Sequence, residues 1–357
     1  MPGKYQLITA TSMGVRITPA DRQPVGVGNL YAMQSTSAES NVLNVAASLG
    51  MRTKALTRFV KGSPIAAFIK GDLRRRNIEY EGPDVEPDGP WGVRHQFNIA
   101  DAGFGVRGPR VYNDRAGEVG RTICESDFDL DRIFRREGVE IVHLSGLFAA
   151  MSPSTGALCL RLAELARETG ARLSFDLNYR ASFWKSREAE LRETFSQIAR
   201  RADILIGNEE DFQLALGVEG PEAGGKALSG KIDSFKDMIA RVQAQYPNAR
   251  TFATTLREVV SANEHIWGAI LLDGGEWHVA EPRAIPVLDR IGGGDGFVGG
   301  LLYGMDRFIS EHTKVPCYVA EDPISCVAIG TGKVLENIEF YSRGAIYDYK
   351  RGEYFEG

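Results

Sequence analysis

From residue 139 onward, the spacing of apolar positions switches repeatedly between two patterns. "VEIVHLSG" is a short unbroken apolar run, as a strand covered on both faces requires. In "SPSTGALCLRLAELARETG" the apolar residues Leu158, Leu162 and Leu165 fall three and four apart, which predicts a helix capped by Ser152 or Ser154 and stopped at Gly170. The cycle then repeats. "RLSFDLN" predicts a strand, Leu191, Phe195 and Ile198 a helix, and "DILIGN" a strand running into "EEDFQLALG". Phe235, Met238, Ile239, Val242 and Tyr246 line a further helix, closed by Pro247. Strands follow near 250–256, 265–272 and 276–280, with "LLDGGEWHV" as a hairpin turn. Strands alternating with helices predict an α/β fold, a mostly parallel sheet with helices on both faces.

The first third is patterned differently. "YQLITAT" predicts a buried strand and "SAESNVLNVAASLG" a helix, but residues 13–36 and 83–123 are rich in Gly and Pro. "GVRHQFNIAD" and "GPRVYNDRAGE" predict exposed strands. Segments that leave a parallel sheet and rejoin it predict a small β lid over the carboxyl ends of the strands, where such sheets bind ligands. No linker or repeat intervenes, so 1–357 reads as one domain with an inserted lid.

Composition narrows the function. With 43% hydrophobic and 25% charged residues, the 357-residue chain is typical of a globular protein. A net charge of −5 argues against nucleic acid or anionic membrane as partner. No apolar run approaches the ~20 residues of a membrane span, and "MPGKYQLITAT" lacks a secretory layout. Cys124, Cys159, Cys317 and Cys326, like His95, His143, His265, His278 and His312, show no ligand spacing. Reduced thiols in a cytoplasm are the simplest expectation, and a zinc enzyme is not expected.

The chemistry concentrates in "VLDRIGGGDGFVGGLLYGM", residues 287–305. A helix beginning near Gly293 leaves its first backbone N–H groups without intrahelical partners, and glycines let an anion approach them. Asp295 stands at the same place. Those amides can stabilise a phosphoryl group in transfer while the carboxylate aligns an attacking hydroxyl and takes its proton. An aspartate there also serves as an ordinary helix cap, and residue types alone leave both roles open. The phosphate loop G-x-x-x-x-G-K-[ST] is absent, and the run lies too late for a dinucleotide fingerprint.

"DRIGGGDGFVGGLLYG" resembles the C-terminal signature of the ribokinase-like (PfkB) sugar kinases, D-T-x-G-A-G-D-x-F, and its Arg290 and triple glycine resemble the 2-keto-3-deoxygluconate kinases in particular. "TSAESNVLNVAASLG", "VHLSGLFAAMSPS", "FDLNYRASFW", "GNEEDF" and "TFATTLREVVSANEHIWGAILLDGG" are similar to further segments of that subgroup, in the same order. The resemblance implies a ribokinase-like three-layer α/β/α sandwich and an ATP- and Mg2+-dependent transfer to a primary hydroxyl of a sugar acid. It makes Asp295 the base and Gly292, Gly293 and Gly294 the anion hole. Glu39, Asn41, Tyr112 or Asn113, Arg115 and Arg180 would hold the sugar acid. Asn178, Arg180, Asn208 and Arg257 would face the nucleotide, and Asn208 with Asp211 would order Mg2+ through water. Asp176 is expected to face into the sheet and anchor a loop. Pairing of subunits through the lid is also implied.

Departures from the family pattern are local. Ser37 and Ala38 stand where the family has paired glycines, Ser12-Met13 where it has G-E, and Asp211 where it has glutamate, with Glu209 and Glu210 beside it. The C-terminal family segment is replaced by "ISCVAIGTGKVLENIEFYSRGAIYDYKRGEY", whose Ala328, Gly330 and Gly332 can line an adenine slot. These departures keep two alternatives open: a non-catalytic sugar or nucleotide binder on the same scaffold, and a kinase for another sugar such as fructose, or for a nucleoside.

Overall fold

The alternating pattern folds as expected in a computed structural model, which describes residues 3–220, 232–304, 347–348 and 353–354. The chain divides into two compact units, Met1–Tyr303 and Gly304–Gly357. In the second, the antiparallel pair Tyr347–Asp348 and Glu353–Tyr354 is described. His312, Cys317, Cys326, Ala328, Gly330 and Gly332 lie outside the described residues.

In the first unit β1 (Tyr5–Ala10) enters the central sheet, and the chain leaves it for β2 (Gly14–Pro19) and β3 (Tyr31–Thr36). It returns through α1 (Ala38–Ser48), β4 (Thr53–Leu56), β5 (Phe59–Val60), α2 (Pro64–Arg75) and β6 (Ile78–Glu81), then leaves again through β7 (Asp84–Val85), β8 (Phe97–Ala100) and β9 (Val111–Asp114). From β10 (Val139–Ser145) the order is α3 (Gly146–Ala149), α4 (Pro153–Thr169), β11 (Arg172–Asp176), α5 (Ala181–Trp184), α6 (Glu188–Ala199) and β12 (Ile204–Ile206). There follow α7 (Glu209–Leu216), α8 (Ile232–Gln245), the meander β13 (Thr251–Val259), β14 (Glu264–Asp273) and β15 (Glu276–Pro286), and α9 (Gly293–Tyr303). Of the two candidate caps of α4, Ser152 accepts the Thr155 N–H, and Gly170 ends the helix at φ 79°.

The sheet order is β15-β14-β13-β12-β11-β10-β1-β4-β6, parallel from β13 to β6, with the β13–β14 and β14–β15 pairs antiparallel. Side chains alternate between two cores, as a doubly covered strand demands. Leu205 of β12 packs with Phe175, Phe195, Phe212 and Phe235 beneath α4 and α6–α8. Its neighbours Ile204 and Ile206 pack on the opposite face with Val42, Leu73 and Val298 of α1, α2 and α9. Each large apolar side chain so buried contributes about 1.5–3 kcal/mol. Strand order reverses between β1 and β10, so the crevice at their carboxyl ends is where such a sheet offers a binding site. No helix among the described residues is long and apolar enough to cross a membrane.

The two irregular segments build a second sheet, β3-β2-β8-β9. Register gives it two unlike rows. Gln34, Arg16, Asn98 and Asn113 are neighbours across the strands, and one residue along, Met33, Ile17, Ile99 and Tyr112 form the row on the other face.

Candidate active site

A cleft of about 1400 Å³ opens where the central strands end and the lid strands begin, and both contribute to its lining. The chain enters α9 through a tight corner. Gly292 adopts φ +84°, a left-handed conformation that costs other residues about 1–3 kcal/mol. Gly293 N–H turns back to the Arg290 carbonyl (3.3 Å), and Gly296 N–H closes the first turn on the Gly292 carbonyl (2.8 Å). The amides of Gly294 and Asp295 are left at the helix start without an intrahelical acceptor. Gly292 and Gly294 line the cleft, but Gly293 does not. A Cβ at Gly293 would come within 2.5 Å of the Trp267 ring, whereas one at Gly294 would meet open space. The expected three-glycine anion hole is therefore two glycines facing the cleft and one demanded by packing.

Asp295 lines the cleft, and its Oδ2 accepts a hydrogen bond from Asn41 Nδ2 at 2.7 Å. Burial raises its carboxyl above the usual aspartate range, against the opposing pull of Asn41 and of the Arg180 charge. Asn41, expected to hold sugar hydroxyls, thus gives its amide to the acid. Glu39 departs further from expectation, because it does not line the cleft. It is buried, with Oε2 accepting the Thr11 hydroxyl (2.7 Å) and Oε1 unpartnered. Burial lifts its carboxyl above the usual range as well. Residues two apart on a helix face different ways, and of the pair only Asn41 lines the cleft.

The opposite wall is built by the loops after β11 and β12. Asp176 anchors its loop as expected, accepting the Asn178 N–H at Oδ1 (3.1 Å), but it lines the cleft instead of facing into the sheet. Burial, then the charges of Asp211 and Asp295, push it well above the aspartate range. Asn178, at φ +36°, and Arg180 line the same wall. Asn208 caps α7 in a reciprocal pair with Asp211: each side chain accepts the other's backbone N–H at 2.9 Å. Asp211 Oδ1 also accepts the Tyr179 N–H (2.8 Å), lacing the two loops together. Glu209, Glu210, Arg257 and Arg290 complete this side. Burial and the nearby Arg290 hold Arg257 below its ordinary range. Among the described residues no three His, Cys, Asp or Glu side chains converge as a ready metal cage.

The lid supplies the roof. Strand alternation settles the one-residue ambiguity in β9: Val111 and Asn113 line the cleft, while Tyr112 lies on the outer face and is exposed. Tyr112 therefore drops out as a cleft residue. Arg115 reaches the cleft but is already paired with the buried Glu118 (2.8 and 2.9 Å) and stacks over Phe183 at 5.5 Å. Glu118 also accepts the Ser12 hydroxyl (2.6 Å), so a ligand carboxylate at Arg115 would share its charge with Glu118. Gln96 and Asn98, absent from the sequence-derived set, line the cleft, with Gln96 Oε1 and Asn98 Oδ1 buried and unpartnered. Polar residues at alternate positions of "HQFNIAD" were the available signal. The arrangement combines free helix-start amides, a carboxylate held by Asn41, unpartnered acceptors and the guanidinium groups of Arg115, Arg180, Arg257 and Arg290 in one cleft.

Comparison with known proteins agrees with this geometry. A model of the pfkB family of carbohydrate kinases matches residues 136–321. A 2-dehydro-3-deoxygalactonokinase of Haloferax volcanii is 25% identical over 298 residues, 83% of each chain. A 5-dehydro-2-deoxygluconokinase of Clostridium perfringens is 28% identical over 50% of this chain and 46% of its own. A partial similarity of another kind, 30% identity over 43% of this chain and 44% of the other, is to the cell shape-determining protein Mbl of Bacillus cereus. Among solved structures, a 2-dehydro-3-deoxygluconokinase from Thermotoga maritima superposes with a TM-score of 0.73 at 23% identity, covering 90% of this chain and 96% of that one. An E. coli chain assigned to ribokinase II, in complex with ATP and Mg2+, superposes with a TM-score of 0.65 at 14% identity, covering 87% and 88%.

Proposed function

The chain belongs to the pfkB family of carbohydrate kinases, and on that premise we propose that it transfers the γ-phosphoryl group of ATP to the primary hydroxyl of a 2-keto-3-deoxy sugar acid, with 2-keto-3-deoxygluconate as the preferred acceptor. The observation that carries this reading is Asp295, held by Asn41 at 2.7 Å at the start of α9, where the Gly294 and Asp295 amides have no intrahelical acceptor. Asn41 fixes one carboxylate oxygen, leaving the other to align the acceptor hydroxyl and take its proton as the bond to phosphorus forms. The raised affinity of Asp295 for a proton, caused by burial, makes it a better base than an exposed aspartate. The helix-start amides offset charge on the transferring group. Arg180 and Arg257 supply positive charge on the nucleotide side, and Arg115 and Arg180 toward the acid's carboxylate. Gln96, Asn98 and Asn113 offer acceptors and amides to the sugar hydroxyls.

The residues present suit a magnesium ion carried by ATP. The charges of Asp211 and Asp295 strengthen Asp176's grip on its proton, a carboxylate excess that a divalent cation would relieve. Both Asp211 oxygens already accept backbone amides. Asn208, Asp211 and Glu210 would therefore hold Mg2+ through water, as suits an ion that keeps its hydration. When bound, the ion neutralises phosphate charge.

We assign the outer face of the lid to a homodimer. Met33 and Tyr112 are 41% and 54% exposed, and with Ile17 and Ile99 they make an apolar row on a sheet face that no element among the described residues covers. The free thiols Cys124 and Cys159 suit a cytoplasm. Coupled ADP release over a panel of 2-keto-3-deoxy acids, hexoses and pentoses tests the reaction. Fastest turnover on a 2-keto-3-deoxy acid is expected. Nucleotide binding without turnover of any member would overturn the proposal, and preference for a neutral sugar would overturn the acceptor assignment.

A further inference from the structure

The lid also grips the segment that leads into the phosphate corner. Arg16 belongs to the cleft-side row of β2 and is buried, and its Nη2 donates to Asp289 Oδ2 at 2.6 Å, a pairing across 273 residues. Asp289 uses its other oxygen to accept the Ile291 N–H at 3.0 Å, one residue before the left-handed Gly292. Arg22, just beyond β2, donates from Nη2 to the carbonyls of Val287 (3.0 Å) and Leu288. The β8–β9 loop adds its own hold: Arg107 Nη2 donates to the Arg22 carbonyl (2.6 Å), and Gly105 N–H donates to Asn263 Oδ1 (2.5 Å). The Asn263 carbonyl in turn accepts the Val287 N–H (2.7 Å).

These contacts have a mechanical consequence. Among the described residues Arg16 Nε has no hydrogen-bond partner, and Asp289 is the one carboxylate paired with this buried guanidinium. Lifting the lid must either strand that charge or pull Asp289 with it. Pulling Asp289 releases the Ile291 amide and with it the turn that sets Gly292. We propose that Arg16 is a positioning residue, coupling the lid to the phosphate corner so that the corner amides are in anion-binding order only while the lid lies over the cleft. An acceptor held under the lid by Asn98 and Asn113 then completes the phosphate cradle, and nucleotide and acceptor each tighten the other's binding. The coupling also restrains ATP hydrolysis when no acceptor is present. This inference rests on the kinase reading of the cleft.

The test uses Arg16→Gln, Arg16→Lys and Asp289→Asn in the full chain. Asp289→Asn keeps an oxygen for Ile291 N–H while removing the charge that faces Arg16. Expected for Arg16→Gln and Asp289→Asn is a fall in kcat on 2-keto-3-deoxygluconate of about tenfold or more. Affinity for the β,γ-imido analogue of ATP, measured without acceptor, should be unchanged, while its tightening by 2-keto-3-deoxygluconate is lost. Arg16→Lys should retain part of both. Hydrogen exchange should quicken together in peptides covering 14–36 and 287–297. Turnover within about twofold of wild type in Asp289→Asn would overturn the proposal. So would equal loss of nucleotide affinity with and without acceptor, or faster exchange in the lid alone. If Arg16→Gln does not fold, Asp289→Asn decides, since residue 289 is exposed. If the wild-type chain does not turn over 2-keto-3-deoxygluconate, the acceptor assignment falls, and the exchange measurement still decides the coupling.

Discussion

Two neighbouring glycines allow stability and phosphate binding to be separated. At Gly293 an added Cβ would lie 2.5 Å from Trp267 Cη2 and 3.0 Å from Cζ3, whereas carbon contacts settle near 3.5–4.0 Å, so ring or helix must retreat by about 1 Å. Overpacking of this kind costs about 1–3 kcal/mol, offset by up to about 1 kcal/mol because alanine favours a helix over glycine. Gly293→Ala is thus expected to lose about 0–3 kcal/mol, a drop of up to several degrees in melting temperature for a body of this size. At Gly294 nothing lies within 4 Å of the added carbon, so Gly294→Ala should melt at or slightly above wild type. Its methyl, however, occupies the cleft beside the first-turn amides, and kcat/KM for ATP should fall about a hundredfold. The two variants should therefore rank in opposite order by melting temperature and by catalytic loss. Thermal melts followed by circular dichroism, with initial rates from coupled ADP release, measure both. A Gly294→Ala enzyme with kcat/KM for ATP within about twofold of wild type would refute the assignment of this corner to phosphate.

Asp295→Asn should leave nucleotide affinity by calorimetry intact and lower kcat about 10²–10⁴-fold; an unchanged kcat would remove the carboxylate from the chemistry. Asp176 is raised in the folded state by burial and by Asp211 and Asp295, so the folded chain holds a proton that the unfolded chain gives up. Its contribution is most favourable below the ordinary aspartate value and declines as pH rises toward the raised one. The melting-temperature gain of Asp176→Asn over wild type should accordingly be larger at pH 8 than at pH 4, and a gain independent of pH would contradict the sign. Met33→Lys on the outer lid row should halve the mass seen by light scattering without altering the cleft; a wild-type chain already monomeric at working concentration would dispose of the lid dimer.

The fold was legible because strand and helix periods differ and both faces of the sheet are covered; Leu205 against Ile204 and Ile206 shows that alternation in three residues. The corner stood out only in company: Gly-Gly-Gly-Asp at a helix start suits a helix cap as well as an anion site, and the further segments in matching order are what favoured the anion site. Side-chain direction was harder. Tyr112 and Asn113 are interchangeable in a motif, yet a one-residue shift in a strand moves a side chain to the other face. Glu39 and Asn41 both matched a pattern that ignores the rotation of a helix between them. Asp176 looked internal because its neighbours are, and only the carboxyl end of β11 reveals its exposure to the cleft. Arg16 with Asp289, and Trp267 behind Gly293, depend on contacts across the whole fold, which no local pattern encodes. The family match ends at residue 321, ahead of the C-terminal segment that departs from the family pattern.

Asn41 and Asp295 ride on α1 and α9, and the two helices meet at Gly299, where a Cβ would come within 2.6 Å of Val45 and 3.0 Å of the Val42 carbonyl. A side-chain-free crossing this close makes the pair one stiff yoke, so the acid and the amide that steers it share a frame set during folding. The cleft-facing groups of the lid, Asn98 and Asn113, hang on a different sheet. Positions 98 and 113 can therefore be varied for a new acceptor while the Arg16–Asp289 link and the β8–β9 loop are kept, and a library confined to those positions is the natural place to look for kinases of altered taste.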